Sequence, residues 1–236
     1  MPAMRSPLFH CPVCDASLDA GPRGALANQG FVRCECCSHE ARWQGNRLRA
    51  DGSDRRVTAA EPAPSLDACD RRMSTLGSLG VTRGRLLDIG CGTGRFLLVA
   101  KARQLEVAGI ESDEDQRAQA VAALGIGMAS SLDTLEPEDL RFDVITVWGA
   151  LCTVDAPLSV LAWAAERMRP GALLGLSAQE PETRTQHRFT RQSISLCALR
   201  AGFEPVQVPA RRSVANRIFS ALRPGPDELE LWARRR

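Results

Sequence analysis

Residues 86–96 read LLDIGCGTGRF, and this stretch decides the fold. An apolar run ends at Asp88. Glycine then recurs at every second position: Gly90, Gly92 and Gly94. Glycine adopts backbone dihedrals closed to other residues, so such a turn lets the backbone approach a ligand closely. The helix expected after the turn presents free N–H groups and a positive dipole end to a carboxylate. The stretch therefore suits the amino-acid end of a cofactor.

A second apolar strand, VAGI, ends in Glu111, about twenty residues after the glycine turn. An acidic side chain at this position can accept hydrogen bonds from both hydroxyls of a ribose. The turn by itself could also be a tight strand-to-helix connection, but together with Glu111 it predicts an adenosine-bearing ligand. The spacing D-x-G-x-G-x-G differs from the G-x-G-x-x-G of dinucleotide-binding proteins. A nicotinamide cofactor is therefore the lesser alternative.

Strand and helix patterns alternate along the rest of the chain. This alternation predicts an α/β fold with a doubly wound parallel sheet. A helix capped by Ser65 and reaching about residue 79 would lead into the sheet. The predicted elements are strand 85–89, helix 94–103, strand 106–110, helix 113–124, strand 142–148, helix 157–168, strand 172–178, helix 190–201 and strands 204–208 and 228–233. A short helix at 213–222 has no assigned role.

Three segments resemble the class I S-adenosylmethionine-dependent methyltransferases, and within them the bacterial group similar to the ubiquinone-biosynthesis enzymes. The segments read LLDIGCGTG, FDVITVWGALCTVDAP and RPGALLGLSAQ, and the resemblance covers residues 65–236. It implies a Rossmann-like, mostly parallel sheet and methyl transfer from S-adenosylmethionine. The segment ELELWA near the C-terminus resembles the antiparallel last strand of this fold.

The resemblance also implies which residues would bind the cofactor. They are Asp88, Gly90, Cys91, Gly92, Gly94, Glu111, Ser112, Ser131, Leu132, Trp148 and Gly149. Glu111 would hold the ribose, and Ser131 and Leu132 would sit beside the adenine. Trp148 and Gly149 would cover the methionine chain and open onto the acceptor.

The segment after the strand at 142–148 departs from the family pattern. Related proteins often carry an acidic residue and a histidine there, as in W-D-V-L-E-H-V, whereas residues 148–154 read WGALCTV. Either the acceptor is already nucleophilic, as an amine or a stabilised carbanion would be, or a base comes from elsewhere. His187 is the candidate catalytic base, because histidine takes up a proton near neutral pH. An equally good interpretation is that His187 only holds its loop in place by hydrogen bonding.

The N-terminal part carries a candidate metal site. Four cysteines form two C-x2-C pairs separated by 19 residues: Cys11, Cys14, Cys34 and Cys37. This spacing is typical of a structural zinc site, in which metal binding folds a module too small to be held by its own core. Cys36 is then spare, although ligation by Cys36, His10 or His39 stays an alternative. Four cysteine ligands are preferred.

Composition divides the chain into three parts and limits the classes of partner that it can be expected to bind. We expect a zinc ribbon at 1–48, a polar, proline-bearing linker at 49–64 and an S-adenosylmethionine-binding domain at 65–236. With 30 basic and 28 acidic side chains the formal net charge is +2, so nothing in the overall charge favours nucleic acid. The sequence shows no apolar run near the ~18 residues of a membrane span and no secretory signal, which leads us to expect a cytoplasmic protein.

The preferred function is a biosynthetic methyltransferase acting on a small molecule, a sugar or a glycan or lipid precursor. One alternative is an RNA methyltransferase that grips phosphates with the ribbon and basic stretches. Another is a non-catalytic scaffold that binds the cofactor and recruits a partner through the ribbon. A homodimer or a protein partner is compatible with all three.

Overall fold

A computed structural model describes residues 9–18, 30–44, 47–48, 57, 63–135, 141–178, 185–208 and 229–236. The helix predicted at 213–222 lies outside these residues. Twelve strands are present in them: β1 Phe9–His10, β2 Ser17–Leu18, β3 Phe31–Arg33, β4 Glu40–Gln44, β5 Arg47–Leu48, β6 Arg85–Ile89, β7 Glu106–Ile110, β8 Phe142–Trp148, β9 Met168–Ala178, β10 His187–Arg188, β11 Phe203–Pro205 and β12 Leu229–Arg235. Five helices accompany them: α1 Leu66–Ser78, α2 Arg95–Ala102, α3 Glu114–Leu124, α4 Pro157–Glu166 and α5 Arg191–Arg200.

The central sheet has six strands in the order β11-β12-β9-β8-β6-β7. Strands β7, β6, β8 and β9 are parallel, and β12 and β11 add antiparallel at one edge. The strand order reverses at β6, which lies between β7 and β8. In open α/β sheets, ligands bind at the carboxyl ends of the strands beside such a reversal. The predicted fold class, including the antiparallel last strand, is confirmed.

Local capping explains where several helices begin. The Ser65 hydroxyl accepts the N–H of Ala68 at 3.1 Å and starts α1, as the sequence predicts. Thr190 forms a capping box with Ser193 at the start of α5. Each cap satisfies backbone N–H groups that have no partner inside the helix. The five predicted helix starts that fall within the described residues are confirmed to within one residue.

Two strand boundaries differ from the prediction for identifiable reasons. Strand β9 begins four residues earlier than predicted, because Met168 already pairs with Phe142 before the Arg-Pro-Gly sequence that suggests a turn. Strand β11 ends at Pro205, whereas the prediction ran to residue 208. Proline has no N–H to donate, and beyond it one further bond to β12 remains, from the Val206 N–H to the carbonyl of Trp232 at 2.8 Å. Before Ser131 the chain pairs with β7 through a single bridge, between Ile110 and Ala129.

Apolar side chains cover both faces of the central sheet. On one face, α1 and α2 contribute buried residues such as Cys69, Leu76 and Phe96. On the other face, α4 and α5 contribute buried residues such as Leu161 and Ile194, and the N-terminal strands join the same cluster. The doubly wound arrangement leaves the carboxyl ends of the parallel strands as the edge on which a site can form. Within the described residues, no helix is both long and apolar enough to cross a membrane.

The N-terminal module, defined here as residues 9–18, 30–44 and 47–48, packs against the larger domain and shares a sheet with it. Strand β10 pairs antiparallel with β4, and β4 pairs with β3 and β5. The Arg200 guanidinium on α5 donates to the carbonyl of Val13 at 2.9 Å. The division at 48 and 64 stays a prediction, but the sheet of this module includes a strand from beyond it.

Candidate functional site

The glycine turn after β6 has the geometry that its sequence predicts. Gly90, Gly92 and Gly94 have φ values of 72°, 56° and 77°, in the left-handed region that favours glycine. A Cβ on Gly94 would also lie 2.8 Å from the Leu124 side chain, so the third glycine lets α2 and α3 pack. The turn thus places backbone at the start of α2, at the carboxyl edge of the sheet.

The carboxylate of Glu111 is tied directly to this turn. Its Oε2 accepts the N–H of Gly92 and its Oε1 accepts the N–H of Asp113, both at 2.9 Å. Glu111 is fully buried. The structure therefore brings together the two features that the sequence placed 19 positions apart, and it fixes the orientation of the acid.

Asp88 is a buried, hydrogen-bonded carboxyl group near the end of β6, at the same edge of the sheet. The Thr146 hydroxyl on β8 donates to its Oδ1 at 2.7 Å. Burial raises the pKa of Asp88 to about 7, although this hydrogen bond and the nearby charge of Arg72 oppose the rise. Glu111 adds a negative charge close by, which raises the pKa further. Asp88 therefore titrates near neutral pH inside the candidate site.

A buried arginine at this edge was missed by the sequence reasoning. The side chain of Arg72 on α1 is 1% exposed and makes an ion pair with Glu230 at 2.9 Å. Its guanidinium also donates to the Ser177 hydroxyl at 3.4 Å and lies 4.0 Å from the ring centre of Trp148. A positive charge is thus held over the ends of β8, β9 and β12. The sequence feature that could have revealed Arg72 is its position in α1, beside the apolar stripe of Cys69, Met73 and Leu76.

Trp148 is buried beneath the Arg72 guanidinium and is not exposed to solvent. Its ring makes edge contacts with Phe96 and Trp232, each with ring centres 5.4 Å apart. A Cβ on Gly175 would lie 2.8 Å from both tryptophan rings, so the glycine makes room for them. The buried Nε1 of Trp148 has no hydrogen-bond partner among the described residues. Trp148 is therefore a wall of the site at the end of β8.

The remaining predicted cofactor residues surround the same edge. Leu132 is buried and Ser131 is half-buried in a turn closed by Thr134. This turn lies beside β7, because the Glu111 N–H donates to the carbonyl of Ala129 at 3.0 Å. Gly149 has a φ of 74° and donates its N–H to the backbone carbonyl of Ser177 at 3.1 Å.

The other two predicted residues flank Glu111 and the turn. Cys91 is buried, and its thiol lies near the backbone of Gly109 on β7. Ser112 donates its N–H to the carbonyl of Val57 at 3.1 Å. Val57 falls in the predicted linker and is fully buried, so this residue lies against the end of β7 next to Glu111. The polar composition of the linker gave no sign of this contact.

His187 lies in the contact between the N-terminal module and the larger domain, not at the mouth of a pocket. It is 2% exposed, and burial lowers its pKa to about 4. Its Nε2 lies 3.3 Å from the carbonyl of Asp155, which can only accept, so Nε2 carries the hydrogen. Nδ1 then accepts from Nε2 of His39 at 3.0 Å. The lone pair that a general base needs is therefore occupied, and the geometry fits the loop-pinning interpretation better than the predicted catalytic role.

The four predicted metal ligands form one cluster. Their sulfur atoms all lie within 4.8 Å of one another, with Cys11 to Cys37 at 3.6 Å and Cys14 to Cys34 at 3.5 Å. Four thiolates at about 2.3 Å from a tetrahedral zinc would lie about 3.8 Å apart, so the cluster fits that ion. The alternative ligands are not favoured. Cys36 is exposed. His39 is bonded to His187, and His10 is bonded to the carbonyl of Asp15. The structure brings Cys11, Cys14, Cys34 and Cys37 together, and their binding of a metal stays a prediction.

Comparisons with known proteins agree with this architecture. A family model described as "Methyltransferase domain" matches residues 65–208, more than half of the chain. A comparison with curated protein sequences gave no significant match.

Solved structures extend the likeness over most of the chain. An S-adenosylmethionine-dependent methyltransferase from Mesorhizobium loti is 21% identical, with 72% of this chain and 100% of that chain covered and a TM-score of 0.56. The [4+2]-cyclase SpnF is 19% identical over 78% and 88% of the chains, with a TM-score of 0.53. CalS10, an amino pentose methyltransferase from Micromonospora echinaspora, is 18% identical over 72% and 89%, with a TM-score of 0.50. At these identities the likeness concerns the fold alone.

Proposed function

The chain belongs to the methyltransferase-domain family, and on that basis we propose that it is an S-adenosylmethionine-dependent methyltransferase whose acceptor is a small molecule, a sugar or a glycan or lipid precursor. One observation carries the proposal: the Glu111 carboxylate is bonded to the N–H of Gly92, at the reversal of strand order. The acid that we expect to bind the nucleoside thus lies beside the glycine turn. The likeness to the ubiquinone-biosynthesis group stays a prediction.

The cofactor would lie along the carboxyl edge of β6, β7 and β8. Its ribose hydroxyls would meet Glu111, and the methionine portion would run past Asp88, Gly90 and Gly92. The turn around Ser131 and Leu132 would flank the adenine. S-adenosylmethionine supplies an electrophilic methyl group on a positively charged sulfur, so the chain is needed mainly for positioning.

Arg72 adds a binding group that the sequence did not predict. It is buried, it influences the charge state of Asp88, and it stacks on Trp148. The N-terminus of α2 supplies a partial positive charge on the same edge. These two positive groups would hold the negative carboxylate at the amino-acid end of the cofactor.

The acceptor would be a nucleophile that needs no strong base from the turn after β8. Residues 149–154 contain neither a carboxylate nor an imidazole, and the basic nitrogen of His187 accepts a hydrogen bond from His39. An amine or a stabilised carbanion meets this condition. His187 would then act as a positioning residue. A base from another part of the chain remains the alternative for a hydroxyl acceptor.

The cysteine cluster would hold a structural zinc ion. Four thiolates complete a tetrahedral site and leave no open coordination position, which suits a scaffold and not a catalytic metal. Cys11 and Cys37 are buried, and the cluster ties residues 11–14 to residues 34–37.

Calorimetric titration of the zinc-loaded protein tests the proposed cofactor. We expect binding of S-adenosylmethionine and S-adenosylhomocysteine, weakened at least about tenfold, or about 1.4 kcal/mol, by Glu111→Ala. Glu111→Gln keeps a side-chain oxygen that can accept the Gly92 N–H, so it separates loss of the ribose contact from loss of the turn. Glu114→Ala, an exposed acid on α3, is the matched control. Binding of NAD alone, or of no ligand, would overturn the proposal.

A further inference from the structure

A short segment of the larger domain joins the N-terminal module to the turn that follows β8. This bridging segment consists of residues 185–188. The carbonyl of Gln186 accepts the N–H of Arg42 on β4, and the N–H of Gln186 donates to the carbonyl of Cys152, both at 2.8 Å. A single residue is therefore bonded on one side to the module and on the other to the β8–α4 loop, residues 149–156.

Side chains reinforce the contact between β4 and the bridging segment. The Arg42 Nε donates to the carbonyl of Thr185 at 2.7 Å. Arg188 makes an ion pair with Glu40 at 3.6 Å and lies 4.1 Å from the ring centre of Phe31. These contacts hold the segment in the sheet of the module.

The two histidines form a second connection between the same parts. His39 donates to His187, and His187 donates to the carbonyl of Asp155 in the β8–α4 loop. Both rings are almost fully buried. A buried hydrogen bond of this kind is costly to leave unpaired, so the chain of three residues resists separation.

The cysteine cluster lies directly before β4. The Cys34 N–H donates to the carbonyl of His39 at 2.8 Å, and Cys37 lies two residues before His39. A module this small would depend on a bound metal for a fixed structure. The geometry of the cysteine cluster is thus transmitted through β4 and the bridging segment to the β8–α4 loop.

We propose that the N-terminal module is a positioning element for the acceptor side of the site: it fixes the β8–α4 loop through Gln186 and His187, whereas the cofactor side does not depend on it. The inference rests on the proposed function, which places the acceptor beside the end of β8. The cofactor side is held by a bond within the larger domain, from the Gly92 N–H to Glu111. The two sides of one site are therefore stabilised separately.

Hydrogen exchange of the full-length, zinc-loaded protein tests this separation. Arg42→Ala removes the bond to Thr185 and leaves every cysteine in place. We expect backbone amides in peptides covering 149–156 and 185–190 to exchange about tenfold faster in this variant, because local opening exposes them. Peptides covering 88–95 and 109–115 should be unchanged, and S-adenosylhomocysteine should bind with the wild-type affinity. Arg42→Lys keeps a donor for Thr185 and should restore slow exchange.

Arg33→Ala is the matched control, because Arg33 on β3 is exposed and lies 4.0 Å from its ion-pair partner, Glu40. Zinc content is measured for each variant, and Arg200→Ala, which removes the bond to Val13, replaces Arg42→Ala if that variant loses zinc. Equal exchange in Arg42→Ala and Arg33→Ala would overturn the inference. So would a tenfold loss of S-adenosylhomocysteine affinity alongside the faster exchange. If the wild-type protein binds no such cofactor, the proposed function fails while the exchange result still reports on the module.

Discussion

His187 accepts a hydrogen bond at Nδ1 from His39, 3.0 Å away in space and 148 positions away in the chain. The bond links β10 of the larger domain to the first residue before β4 of the N-terminal module. It also uses the nitrogen that a catalytic histidine would need. The relationship therefore separates a positioning role from a catalytic role in a way that can be measured.

We expect His187→Ala to lower the free energy of unfolding by about 3 kcal/mol, because it leaves a cavity and a buried His39 donor without its acceptor. His187→Asn places an oxygen near the position of Nδ1 and should recover part of the loss. Urea unfolding of the zinc-loaded proteins measures both changes. Wild-type stability in His187→Ala combined with loss of methyl transfer would favour the catalytic interpretation instead.

Asp88 should make stability depend on pH. Its pKa is raised from 3.8 in the unfolded chain to about 7 in the folded protein, so the folded state keeps a proton that the unfolded state has released. The associated stability is fully present below about pH 4 and is lost as the pH rises through 7. Asp88→Asn stays neutral and can still accept the Thr146 hydroxyl.

We therefore expect the stability of Asp88→Asn relative to wild type to rise by about 4 kcal/mol between pH 4 and pH 8, because each pKa unit between 3.8 and about 7 is worth about 1.4 kcal/mol. Urea unfolding of both proteins across this range gives the difference, in which effects of pH on the metal site cancel. The same substitution should weaken S-adenosylhomocysteine binding, because the site loses a charge. Parallel stability curves for the two proteins would show that Asp88 is ionised throughout.

The buried Arg72 offers a direct test of cofactor binding. We expect Arg72→Met to weaken S-adenosylhomocysteine binding by about tenfold, because it removes a positive charge from the ends of β8 and β9. Arg71→Met, on the exposed face of the same helix, should leave binding unchanged. Calorimetric titration measures both, after circular dichroism has established that each variant is folded. Equal affinities in the two variants would assign Arg72 to packing alone.

The cysteine cluster predicts different outcomes for neighbouring cysteines. Cys14→Ser should reduce the bound zinc and lower the unfolding temperature, because Cys14 is one of the four grouped thiols. Cys36→Ser should keep both, since Cys36 is exposed and outside the cluster. Elemental analysis and thermal unfolding provide the two readouts. Loss of zinc in Cys36→Ser would support the alternative ligand set.

Much of the fold could be predicted from local sequence patterns. The strand before Asp88, the glycine turn and the helix after it follow from apolar runs and backbone freedom, which operate between neighbouring residues. The Thr190 cap and the C-x2-C pairs are local in the same sense. Strand β9 was predicted too short, because its first residues depend on pairing with Phe142, which lies 26 positions away from Met168.

The sequence by itself determined the α/β class, the glycine turn with Glu111 and the grouping of the four cysteines, since each is written in spacing along the chain. Only the tertiary structure decided that Arg72 faces the site, that Val57 lies against Ser112, and that His187 is bonded to His39. These relationships join residues far apart in sequence, and burial gives them their strength: a polar group removed from water must find its partner wherever the fold brings one. No pattern of neighbouring residues specifies which partner that will be.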